Sequence, residues 1–137
     1  MTLNLVRIAG IGLLAFAGAA TAQSLNYDVY KAKVEPIFLK KRPPHARCVV
    51  CHAGAGNAFR LERLAPGSTN WTEEQSRKNF DVVTKLINTS SVAESPLLVH
   101  PLAPEGGGDE FHSGGRQFKA KTDADWKTIY DWARAGK

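Results

Sequence analysis

The sequence predicts an all-α domain, and three observations predict it. Apolar residues recur at helical spacing in three stretches: Tyr30, Val34, Ile37 and Phe38; Phe80, Val83 and Ile87; Trp126, Ile129, Tyr130 and Ala133. Capping residues precede each stretch, and proline, glycine or a Thr-Ser run follows it. Between the first and second stretches lies Cys48-Val49-Val50-Cys51-His52, a spacing that suits one turn of helix.

The chemistry of those five residues explains each position. Two thiols on one helical turn reach the two vinyl groups on one edge of a porphyrin and form thioethers. The histidine that follows turns its imidazole under the ring and ligates the iron. Cys-x-x-Cys-His is the attachment pattern of a c-type haem. One covalent haem is therefore expected on Cys48 and Cys51, with His52 as proximal ligand. Other uses of the pattern fit less well. A thioredoxin-like dithiol needs a strand ahead of it, and here Lys40-Lys41-Arg42-Pro43-Pro44 precedes it. A zinc site needs two more ligands at short spacing, and His100 and His112 lie far downstream. A Cys48–Cys51 disulfide leaves His52 unexplained.

The first 22 residues read as a leader. Arg7 precedes an apolar run from Ile8 to Ala20, and Ala20-Thr21-Ala22 is a small-residue cleavage pattern. The run is too short for the roughly 20 residues of a membrane span, so no stable span is expected after cleavage. Residues 23–137 then form one domain in an exported, periplasmic protein of a Gram-negative-type bacterium. Export agrees with the haem pattern, because covalent attachment takes place on the exported side of the membrane.

The chain carries a net charge of +5, or +4 once Arg7 leaves with the leader. Lys31, Lys33, Lys40, Lys41, Arg42 and Arg47 cluster near the haem motif. A basic rim there would steer an acidic redox partner; the alternative is a solvated helix face with no partner. No basic–aromatic motif accompanies the charge, so nucleic-acid binding is not expected.

Taken in order, a first helix is expected from Asn26 to Leu39, capped by Ser24 or Asn26. Pro36 should kink or divide it, and Pro43-Pro44 ends it. Ala53 to Gly56 is small, as suits backbone passing close to a flat ring. Phe59, Leu61 and Leu64 alternate with charged residues, which suits an extended stretch with its apolar side on the haem. The Pro66 carbonyl is expected to accept the Nδ1 proton of His52. Thr72-Glu73-Glu74-Gln75 is a capping box opening a second helix to about Asn88. Ser95-Pro96 starts a short helix over Leu97, Leu98 and Val99. Residues 101–121 are a glycine- and proline-rich loop. Thr122 caps the last helix, to Ala135, which should cross the first and lay Trp126 and Tyr130 over the ring.

The sixth iron ligand decides the function. The thioether common in small electron-transfer proteins is excluded, because the sole methionine is Met1. His112 is the expected distal ligand: it lies sixty residues after His52, among glycines that let backbone approach a haem face. His100, stiffened by Pro101, is the alternative. His45 is tethered too near Cys48 to cross the ring.

These parts, over residues 26–136, resemble a small monohaem cytochrome c. The shared order is a helix carrying Val34-Glu35-Pro36-Ile37-Phe38, then Cys48 to His52, a middle helix, Ser95-Pro96-Leu97-Leu98, a ligand loop and an aromatic terminal helix. His112-Ser113-Gly114-Gly115 stands where that family carries a Met-Pro-Pro type loop. The resemblance implies a cytochrome c-like helical fold wrapped around one haem. The expected function is single-electron transfer, not catalysis. Bis-histidine ligation should lower the potential, since imidazole favours ferric iron more than thioether does. Two alternatives stay open: a haem enzyme with peroxidase-like activity or a gas sensor with an open sixth position, and a haem subunit docked on a larger complex.

Overall fold

The computed structural model describes residues 24–136. The leader expected over 1–22, with its cleavage pattern, lies outside them. Among the described residues there is no strand, only the isolated bridges Arg42–His45, Ala53–Leu61 and Leu102–Phe118, so the domain is all-α. No described helix is long and apolar enough to cross a membrane.

Helix α1 spans 27–39 in three parts: α-helical Tyr27–Val29, a π-helical turn Tyr30–Val34, and α-helical Glu35–Leu39. Asn26 caps it, its side chain accepting from the Val29 N–H at 2.9 Å. The wide turn is how the chain absorbs Pro36. Proline lacks the N–H that would bond the Ala32 carbonyl, and its ring would strike that carbonyl. Winding the preceding turn to an i→i+5 pattern, with Glu35 N–H bonding Tyr30 O, lets the helix continue past the proline.

Helix α2 is the single turn Cys48–His52. Helix α3, Glu73–Thr84, opens on the expected box, with Thr72 and Gln75 exchanging side-chain-to-backbone bonds. It ends before Asn88, yet Leu86 and Ile87 remain at the core boundary after it. Helix α4 is Pro96–Val99 and α5 is Ala124–Ala135. The cap of α5 is Asp123, not Thr122: its carboxylate accepts from the N–H groups of Asp125 and Trp126 at 2.9 and 3.4 Å. Asp123→Ala should cost about 1 kcal/mol in a denaturant melt, and Thr122→Ala close to nothing.

As expected, α5 crosses α1. The Trp132 ring sits 5.7 Å from Tyr30 between centroids, and its indole N–H donates to the Asn26 carbonyl at 2.9 Å. Phe80 of α3 joins them, 5.2 Å from Tyr30. At its other end α5 is tied to the approach to α2, because Asp125 accepts from both Lys40 and Arg42. Burial alone would raise the Asp125 carboxyl; these two cations hold it below the usual aspartate range.

Candidate haem site

The elements enclose a cavity of about 420 Å³, within the range of small-molecule and cofactor sites. Ile37 and Phe38 of α1, Leu97 of α4 and Ile129 of α5 supply apolar wall. Cys48, Cys51 and His52 of α2 lie along it, and His112, Gly114, Gln117 and Phe118 come in from the long loop. The fold thus brings the four principal expected site residues, sixty positions apart in sequence, to one cavity.

His52 and His112 face one another there. Their ring centroids are 6.2 Å apart and their planes differ by 16°. Each ring has its Nδ1 turned to a backbone carbonyl, His52 to Phe59 O at 2.9 Å and His112 to Gly115 O at 2.6 Å. A carbonyl only accepts, so both Nδ1 atoms carry a proton, and the neutral tautomer of each ring has its lone pair on Nε2. The acceptor on His52 is therefore Phe59, not the expected Pro66. Two residues on, Leu61 is tied to the end of α2 by two ladder-like bonds, Leu61 N–H to His52 O and Gly54 N–H to Leu61 O, each 2.9 Å. The Phe59 ring also lies beside the imidazole, 4.5 Å between centroids. Burial pushes the His52 pKa down; the bonds with the Phe59 carbonyl and the Asn57 side chain offset part of this, and His112 adds to it. The neutral, ligating form is favoured.

The donor set, the apolar wall and the two cysteines at its edge fit a haem.

Cys48 is half-buried and Cys51 exposed, and both are free thiols. Burial raises the Cys48 pKa, with Arg42 pulling the other way. A raised thiol is a poor match to a reactive dithiol, whose nucleophile is a stabilised thiolate. Among the described residues no three His, Cys, Asp or Glu side chains group as a metal cage.

His100 also touches the cavity, but at its rim. Its side chain is 60% exposed and bonded through Nδ1 to Asp109. His45 lies behind the distal loop. Gly115, at φ +87°, packs so closely on the His45 ring that an added Cβ would overlap it. That contact and the positive φ both require glycine at this position.

Other expectations need correction. Residues 53–56 do not line the cavity, and Gly54 instead serves a turn at φ +68°. Of the alternating apolar residues only Phe59 reaches the cavity, while Leu61 is buried elsewhere in the core. Trp126 and Tyr130 do not line it either. They stack on each other, and Trp126 donates to Leu98 O at 3.2 Å. The α5 residue at the wall is Ile129. The basic cluster is partly spent in ion pairs with the chain's own carboxylates: Lys31 with Glu73, and Lys40 and Arg42 with Asp125.

Gln117 was not foreseen. It is 5% exposed, and its amide NH₂ bridges Ala46 O at 3.0 Å and Gly114 O at 2.8 Å. It clamps the loop bearing His112 onto the segment entering α2. Nothing in its sequence neighbourhood marks it. Compared with family models, curated proteins and solved structures, the chain matches none.

Proposed function

We propose that this chain is an exported monohaem c-type cytochrome that carries single electrons between redox partners. The imidazoles of His52 and His112, brought to one cavity with ring centroids 6.2 Å apart beside Cys48 and Cys51, are the observation that carries the reading. A haem bound there supplies a ferric/ferrous couple. Cys48 and Cys51 would hold its edge by thioethers, and His52 and His112 would ligate its iron. The carbonyls of Phe59 and Gly115 set the tautomer and orientation of each imidazole. Ile37, Phe38, Leu97 and Ile129, which line the cavity, would keep water from a haem bound there. With two histidines of the chain holding the iron, electron transfer would be favoured over substrate turnover. The acidic partner expected from the basic cluster now rests on Lys33, Lys41 and Arg47, which are exposed and in none of the described ion pairs.

The test is the absorption spectrum of the chain expressed with the cytochrome maturation machinery. The expected result is a covalent haem, low-spin in the ferric state. A colourless product would sink the proposal, and a high-spin ferric haem with rapid carbon monoxide binding would favour an open iron. One observation favours the docked-subunit form of the reading: Phe111, beside His112, is 90% exposed, and Val50 within the motif is 60% exposed. Solution size separates the two, since a free shuttle runs as a single chain.

A further inference from the structure

The interface of α1 and α3 holds a polar cluster that the haem site does not use. Glu35 is 6% exposed, and Tyr30, Ser76 and Asn79 are fully buried. Ser76 Oγ donates to Glu35 Oε1 at 3.0 Å, and Asn79 Oδ1 accepts from the Glu62 N–H at 2.8 Å. Glu35 Oε2, Tyr30 Oη and Asn79 Nδ2 are left buried without a partner. A single hydrogen bond is weak compensation for a buried ionised carboxylate. The neutral acid is therefore within reach at this position.

A path joins the buried carboxyl to solvent. Ser76 Oγ, which donates to Glu35, also accepts from Lys31 Nζ at 3.4 Å. Lys31 in turn is bonded to Glu73 at the surface. Glu73, Lys31, Ser76 and Glu35 thus form one line of hydrogen bonds from water to the interior. On its other side, Glu35 lies two and three residues before Ile37 and Phe38, both of which wall the haem cavity.

We propose that Glu35 is a proton-binding site linked to the electron on the haem. The inference rests on the cytochrome reading above. When a one-electron donor reduces ferric iron to ferrous, the Glu35 carboxylate takes one proton from water through Lys31 and Ser76. When the electron leaves, the proton returns by the same route. No other bond changes, and the interior gains one negative and one positive charge together. In a medium of low dielectric that pairing is favourable.

The charges around Glu35 set where it titrates. Burial raises its pKa; the Ser76 bond and Lys31 lower it, and Glu73 raises it further. Tyr30, also raised by burial, stays protonated throughout. Reduction raises proton affinity, so the midpoint potential should fall as pH rises through a window above the usual glutamate range.

The test is midpoint potential against pH for the haem-loaded full chain, with Glu35→Gln and Ser76→Ala beside it. In the wild type the potential should fall across the window. Glu35→Gln should lose that segment, leaving only the slope from the haem propionates. Ser76→Ala removes a bond that favours the carboxylate, so the window should move to higher pH. A carboxylic C=O band should appear on reduction in the infrared difference spectrum and be missing from Glu35→Gln. Identical potential curves for wild type and both variants would overturn the proton site and leave the cytochrome reading intact. Absence of covalent haem in the wild type would overturn both.

Discussion

Replacing His112 with alanine should convert the ferric haem from low-spin to high-spin while leaving it attached. On the cytochrome reading the haem is held at Cys48, Cys51 and His52, none of which lies in the loop that carries His112. Only the second imidazole is lost, and alanine has no atom to replace it. The conversion should be complete, because no other described side chain is placed to substitute. His100 is the obvious candidate, but it sits at the rim, mostly exposed and bonded to Asp109. His100→Ala should therefore leave the spectrum unchanged. The reduced His112→Ala protein should also bind carbon monoxide without first displacing a ligand, and its potential should rise. High-spin haem from His100→Ala alone would move the distal ligand to His100. Low-spin haem in both single variants would remove histidine from the sixth position.

The same pair of histidines marks what the sequence could and could not reveal. Helical period and caps are local, so they were legible: Asn26, the Thr72–Gln75 box and Ser95-Pro96 all sit where the chain starts a helix. Period also identifies the buried face of α5, but not what that face meets. The expected cover of Trp126 over the ring is not met, because its indole N–H needs an acceptor when buried, and Leu98 O provides one. The carbonyl that orients His52 was misplaced for a related reason. Any backbone oxygen within a few residues can serve, and the choice of Phe59 over Pro66 follows from the Ala53–Leu61 bridge, which is set by tertiary contacts. Gln117 carries no local signature, because both of its partners are backbone carbonyls made available by the meeting of two loops. The shift in winding at Tyr30–Val34 was half legible: Pro36 announced a disturbance, but not that it would be absorbed upstream without a break.

The double variant Cys48→Ala/Cys51→Ala should fail to hold a stable fold on its own. The substitutions themselves remove little volume, since Cys51 is exposed and Cys48 only half-buried. The consequence lies in what the thiols retain. A cavity of about 420 Å³ stands among α1, α4, α5 and the distal loop, and without covalent attachment its contents are free to dissociate. Apolar wall from Ile37, Phe38, Leu97 and Ile129 is then left without packing partners, in a domain whose total stability is on the order of 5–15 kcal/mol. The chain cannot close the gap by collapse, because Ile37, Leu97 and Ile129 come from separate elements that are also held by the Tyr30–Trp132 contact and the Asp125 ion pairs. The variant should show reduced helical circular dichroism and a broad, low-temperature melt. Added haem should restore part of both, through His52 and His112. Each single cysteine variant keeps one thioether and should fall between. A colourless double variant that melts cooperatively at the wild-type temperature would mean that the core is complete without a porphyrin.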